Sequence, residues 1–210
     1  MTLVSIKTDN SSEDGAVKAE FSDGSSIILK QEYLSDGFAP AFWESGRDLS
    51  PVEEEAFKFA AECYKAEKAA LRLIARAEQN SLALTAKLER RGFAAAVVKA
   101  VISRLLDRNL LDDARYAELW LRSRLSRKKA RSPRWLRISL GKRGIDRNSA
   151  SIALENTLDP ETEYALLSRF VEQTGFPGKK SYSYRKTQLK YEGFSPEALD
   201  KYFDIFHEDR

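Results

Sequence analysis

One short pattern, leucine followed by three variable residues and a glycine, occurs three times at nearly equal intervals and constrains the fold more than any other feature. The copies are Leu88-Glu89-Arg90-Arg91-Gly92, Leu140-Gly141-Lys142-Arg143-Gly144 and Leu189-Lys190-Tyr191-Glu192-Gly193, followed by Phe93, Ile145 and Phe194. Their glycines stand 52 and 49 residues apart. A helix that ends this way puts its leucine on the core side. The glycine takes the left-handed conformation just past the C-terminus, and the next apolar residue packs back. Nine and ten residues beyond each glycine come Val101 and Ile102, Ala153 and Leu154, and Tyr202 and Phe203, the core positions of a following helix. Upstream, Ala117-Glu118-Leu119-Trp120-Leu121 and Ala165-Leu166-Leu167-Ser168-Arg169-Phe170 match less closely, and Ala70-Leu71-Arg72-Leu73-Ile74 is their counterpart in the first copy. A single glycine-ended helix is common, but three with matched flanks indicate duplication. Each unit is then about 50 residues and three helices, stacked as a short elongated array. Such arrays present long surfaces and serve more often as binding scaffolds than as catalysts.

The helix starts are legible. Ser50-Pro51-Val52-Glu53 combines an N-cap serine, a proline at the first helical position and a glutamate that closes a capping box. Ser132-Pro133, Asp159-Pro160 and Ser195-Pro196 repeat the cap and proline, so four of the six prolines mark helix starts. Before residue 50 the pattern differs. Leu3 to Lys7, Val17 to Phe21 and Ser26 to Lys30 alternate, separated by the turn residues of Asn10 to Gly15 and Ser22-Asp23-Gly24. These predict a three-stranded antiparallel meander, whose open face Tyr33, Phe38, Phe42 and Trp43 would cover. The predicted fold is therefore mainly α: tandem three-helix repeats behind a small N-terminal antiparallel β segment. Its expected divisions are 1–50 for the meander and connecting segment, then 51–111, 112–158 and 159–210 for the three repeats.

Composition removes most enzyme chemistries. With 42% hydrophobic and 32% charged residues among 210, the chain reads as a soluble globular protein. No apolar run approaches the roughly 18 residues of a membrane span, and Met1 to Ser12 carry no secretory pattern, so a cytoplasmic protein is expected. Cys63 is the only cysteine and His207 the only histidine, which rules out an intrachain disulfide and leaves no set of zinc ligands or nucleophile–imidazole pair. Cys63 is expected to be a small packing residue and His207 inert. There is no P-loop or dinucleotide-binding glycine motif. No cofactor, metal or catalytic residue is expected. Asp112 and Asp113 read as helix N-terminal acids instead of a catalytic pair. Tyr116, Trp120 and Leu121, at helical spacing, read as core before they read as a base-stacking platform.

The net charge of +3 conceals a strong segregation. Residues 1–66 hold 6 basic and 13 acidic side chains, whereas residues 122–147 hold 11 basic and 1 acidic. The basic set is Arg122, Arg124, Arg127, Lys128, Lys129, Arg131, Arg134, Arg137, Lys142, Arg143 and Arg147, opposed only by Asp146, with Trp135 among them. A solvated helical face is the plain explanation of such a run. Three features argue against it: the tryptophan, the eight arginines to three lysines, and the break at Ser132-Pro133. Arginine forks bind phosphate or carboxylate bidentately, so the segment suits a nucleic-acid backbone or an acidic protein surface. Nothing in it resembles a base-reading code, and any DNA contact should run through phosphates.

These residues resemble the RecX family of bacterial recombination regulators. The strongest match is Leu110-Leu111-Asp112-Asp113-Ala114-Arg115-Tyr116-Ala117-Glu118-Leu119-Trp120-Leu121-Arg122-Ser123-Arg124, followed by the Leu140 to Ile145 motif. Ala70 to Ser81 is similar to the family's first repeat, and Gly46-Arg47-Asp48-Leu49-Ser50 to the approach in members with a β extension. The chain departs from the family's pattern at Arg131-Ser132-Pro133, where a glycine is usual, and at Ser139, where an acid is usual. The third repeat also lacks the Asp-Asp-x-Arg-Tyr string. The resemblance implies a non-enzymatic modulator that binds RecA-type recombinase filaments on single-stranded DNA and lowers ATP hydrolysis, strand exchange and co-protease activity. The basic set with Trp135 is its expected partner- or DNA-binding surface. A monomer is expected, since no coiled-coil heptad asks for a dimer. Two other readings stand beside it: a nucleic-acid-binding module of three-helix units with no recombinase partner, and, weakly, a metal-dependent hydrolase or nuclease.

Overall fold

The computed structural model describes residues 2–8, 15–34, 46–177 and 180–207. They form two units, one running to Gln79 and including Ala83–Leu111, the other made of Asn80–Leu82 and the chain from Asp112 onward.

In the first unit, alternation in the sequence becomes a sheet. The strands β1 (Thr2–Thr8), β2 (Val17–Phe21), β3 (Ser26–Leu29) and β4 (Arg47–Asp48) are antiparallel in the order β3-β2-β1-β4. The meander expected from the sequence is present, but a fourth strand joins it. With two residues, β4 is too short to show alternation, and it is set beside β1 by the Gly46 N–H, which donates to the Leu3 carbonyl at 2.7 Å. Along β2, Val17, Ala19 and Phe21 are buried and Lys18 and Glu20 are not, the period of a strand with one covered face.

Among the described residues the cover is chiefly a helix. Helix α1 (Pro51–Ile74) lays Phe57, Ala60 and Ala61 on Leu3, Val17, Ala19, Phe21 and Leu29. Of the four aromatics proposed for that role, Tyr33 packs at the edge of this cluster, and Phe38, Phe42 and Trp43 lie outside the described residues. Farther along, α1 turns Cys63, Ala66 and Ala70 toward α2 (Ser81–Glu89) and α3 (Ala95–Asp107), where Leu84, Leu88, Val101 and Leu105 are fully buried. Burial pushes the Cys63 thiol up to about 12, so it is packing material and not a nucleophile. The two cores are linked by a buried charge. Glu67 accepts from Lys30 Nζ and from the Tyr33 hydroxyl, both at 2.6 Å, and Lys30 and Glu67 are each 2% exposed.

The second unit contains α4 (Asp113–Leu125), α5 (Pro133–Gly141), α6 (Arg147–Thr157), α7 (Pro160–Thr174), α8 (Tyr182–Tyr191) and α9 (Pro196–His207). Helices α4 and α5 pack on α6, and α7 and α8 on α9, yet the two sets share one continuous core from Ala117 to Phe203. Pro51, Pro133, Pro160 and Pro196 each occupy the first position of a helix. Gly92, Gly144 and Gly193 adopt φ of +89°, +81° and +90°. In each case the following apolar residue donates its N–H to the leucine carbonyl of the motif, at 3.4, 3.2 and 3.3 Å, and the leucine is fully buried. This is the Schellman closure that the repeated motif implies.

Candidate functional site

The densest positive charge is built from the end of α4, the loop after it, and both ends of α5. Asp112 caps α4 by accepting from the Arg115 N–H at 2.9 Å. The helix then ends with Arg122 and Arg124 in its last turn, where cations complement the helix dipole. Ser132 caps α5 through the Trp135 N–H and also donates its hydroxyl to Glu192 at 2.6 Å, so the start of α5 is tied to the turn after α8. The intervening loop is held by one side chain from α7. Gln173 accepts the Ala130 N–H at 2.9 Å and donates to the Lys128 carbonyl at 2.7 Å, which fixes the backbone under Arg127, Lys128 and Lys129.

Trp120 of α4 and Trp135 of α5 stack with ring centroids 6.5 Å apart and planes 20° from parallel. Guanidinium groups cover the rings: Arg143 at 4.5 Å and Arg124 at 5.0 Å from Trp120, and Arg131 at 4.6 Å from Trp135. A ring face attracts a cation and fixes its plane, so these arginines are ordered without being neutralised. Around them lies a groove of about 560 Å³ lined by Arg124, Arg127, Lys129, Arg131, Trp135, Ile138, Ser139, Lys142 and Arg143. No carboxylate lines it, and none of its six cations has an ion-pair partner among the described residues. Burial, with the neighbouring Arg127 and Arg143 charges behind it, lowers the Arg124 pKa from its ordinary value. An anion placed among these like charges would lower their mutual repulsion.

The groove gathers seven of the twelve residues singled out from the sequence: Arg124, Arg127, Lys129, Arg131, Trp135, Lys142 and Arg143. The other five lie elsewhere. Arg134 is 3.7 Å from Glu192 and over the Tyr191 ring at 4.2 Å, while Arg122 borders a separate hollow with Asp159. Lys128, Arg137 and Arg147 are exposed outside the groove. The core reading of Tyr116, Trp120 and Leu121 agrees with the packing, and Trp120 has a second contact besides. Leu121 is fully buried, Tyr116 and Trp120 are half-buried against the core, and the Trp120 ring also joins the arginine–tryptophan stack. Asp112 is the N-cap of α4, and Asp113 accepts from the Ser81 N–H and hydroxyl at 2.7 and 2.5 Å; both are structural. Among the described residues no three His, Cys, Asp or Glu side chains cluster as metal ligands, and no helix is long and apolar enough to cross a membrane.

Fold and groove together define a class: a protein of repeated three-helix units that presents an unneutralised, tryptophan-backed cationic groove. Residues 112–154 match the family model described as RecX, second three-helix domain. The chain is 34% identical over 151 residues to Regulatory protein RecX of Treponema pallidum (strain Nichols), covering 71% of this chain and 91% of that protein. It is 31% identical over 139 residues to Regulatory protein RecX of Pseudomonas entomophila, covering 64% and 86%. A crystal structure of regulatory protein RecX superposes with a TM-score of 0.63 over 97% of this chain and 98% of the other, at 20% identity, a likeness of fold. The chain belongs to the RecX family of regulatory proteins.

Proposed function

We propose that this protein binds RecA-type recombinase filaments assembled on single-stranded DNA and lowers their ATP hydrolysis, strand exchange and co-protease activity. The observation that supports this reading is the groove between α4 and α5. It holds six cations with no acid among them, three of them laid over two stacked tryptophans, at the part of the chain where the family resemblance is strongest. Its occupant is anionic, either the DNA backbone within the filament or an acidic stretch of recombinase surface. The protein itself acts without chemistry, as an ordered scaffold that adds contacts to an assembly.

The test is ATP hydrolysis by a RecA-type recombinase on single-stranded DNA with this protein added well below the recombinase concentration. A marked fall is expected, because a molecule bound across a filament affects many protomers. Replacing Arg127, Lys129 and Arg131 with alanine should abolish the fall while leaving helical circular dichroism and the melting temperature nearly unchanged. Full regulation by that variant would remove the groove from the mechanism. No effect of the unaltered protein, together with tight, steeply salt-dependent binding to bare duplex, would favour a nucleic-acid module that works without a recombinase.

A further inference from the structure

The first unit carries a second cationic surface, on a part of the chain whose overall charge is acidic. It is a groove of about 770 Å³ between β3 and α1. On its helical wall Lys58, Lys65 and Arg72 follow one another at intervals of seven residues, about two helical turns and hence one face. Lys68 lies beside them, over the Tyr64 ring at 5.2 Å, and Glu62 is the only acid on the wall. The two ion pairs that touch the stripe, Lys58–Glu55 at 2.9 Å and Lys65–Glu62 at 2.7 Å, join exposed side chains within one helix and hold little energy against a competing anion.

The opposite wall is an edge of the sheet. β3 ends the strand order, and no strand among the described residues pairs with its outer side. The phase of the ladder shows which groups face outward. The Phe21 N–H donates to the Ser25 carbonyl at 3.0 Å, and Ala19 and Val17 pair with Ile27 and Leu29. Residues two apart share a bonding direction in an antiparallel ladder, so 25, 27 and 29 turn toward β2. Ser26 and Ile28, both exposed and both on the groove, direct their N–H and C=O groups away from the sheet.

We propose that this groove docks an extended acidic peptide segment of a partner protein, which adds a strand to β3 while its carboxylates meet Lys58, Lys65, Lys68 and Arg72. Both walls are needed to choose that occupant. The edge presents donors and acceptors in alternation, which another peptide backbone matches and a phosphodiester backbone, having no N–H donors, does not. The helix presents four cations against two carboxylates, Glu55 and Glu62, and this excess of positive charge selects acidic side chains. The site belongs to a different unit from the α4–α5 groove, so it stands or falls independently of the function proposed above.

The experiment uses the full chain and three probes. They are a short peptide of alternating threonine and glutamate, the same peptide N-methylated along one edge, and a single-stranded oligonucleotide of matching charge. Binding is followed by fluorescence anisotropy, and amide hydrogen exchange locates it. The unmodified peptide should bind with a dissociation constant on the order of 10 μM and should slow exchange at the Ser26 and Ile28 amides. Methylation of the pairing edge should weaken it by about tenfold, and Lys65→Glu with Lys68→Glu by at least as much. Absence of binding, equal binding of the methylated peptide, or binding without protection at Ser26 and Ile28 would each overturn the proposal. An oligonucleotide that binds more tightly than the peptide and loses its affinity in the Lys65→Glu, Lys68→Glu variant would make the stripe a nucleic-acid surface instead.

Discussion

Among single residues, the motif glycines are the most sharply constrained, and not equally. Gly92 and Gly144 share a left-handed conformation that an L side chain adopts at a cost of about 1–2 kcal/mol. A Cβ on Gly92 would meet nothing within 4 Å, whereas one on Gly144 would stand 2.6 Å from Leu82 Cδ2 and 2.7 Å from its Cβ. Gly92→Ala is therefore expected to lose about 1–2 kcal/mol. Gly144→Ala should lose clearly more, because Leu82 has to move as well. Urea denaturation of the two variants checks the order, and equal losses would show that the Leu82 contact relaxes freely. That glycine was required at both positions could be read from the sequence, since the requirement lies in the local backbone. The difference between them could not, because Leu82 is remote in sequence from Gly144.

Helices and their connections show the same division between local and distant causes. Caps are local, and the Ser50, Ser132, Asp146 and Asp159 helix starts follow from residues within one turn. Hydrogen bonds from Ser149 and Thr162 depress the Asp146 and Asp159 carboxyls, and bonds with Ser50 depress Glu53. On the sheet, the Lys18 and Ser5 hydrogen bonds bring Glu20 to about 2 from an ordinary 4.5. A carboxyl with a lowered folded-state pKa contributes its full stability above the unfolded value and loses it as pH falls through the folded one. The melting temperature should accordingly be flat above about pH 5 and fall between about pH 4.5 and 2. A thermal series by circular dichroism tests this, and a flat profile down to pH 2 would contradict these assignments.

The loop after α4 is the opposite case. Its charges were plain in the sequence, but the residue that shapes it, Gln173, lies 43 and 45 positions from its partners and carries no mark in the sequence. The stacking of Trp120 on Trp135 was hidden for a related reason, since the two rings stand on different helices. Gln173→Leu removes no charge and should cost about 1–2 kcal/mol of stability for the two lost bonds. It should also weaken binding of a short single-stranded oligonucleotide severalfold, by loosening the backbone under Arg127 and Lys129. Unchanged affinity in an anisotropy titration would mean that the loop orders itself.

Across the whole molecule, the order of elements along the chain was legible because the second helix of each three passes to the third through the same backbone turn. What joins them was not. The second and third helix sets share one core, and α1 belongs to two, with Phe57, Ala60 and Ala61 on the sheet and Cys63, Ala66 and Ala70 on the helices. The double membership of α1 decides where the chain tolerates being cut. Residue 50, where strands give way to helices, looks like a natural place to excise the β segment. A protein begun there would keep α1 but turn Phe57, Ala60 and Ala61 outward as a greasy strip on an otherwise intact helix. Such a fragment should retain its helical spectrum yet self-associate on gel filtration, and Phe57→Lys should return it to a single monomeric peak. The β segment is thus less an appendage than a lid that keeps the first helix from becoming adhesive.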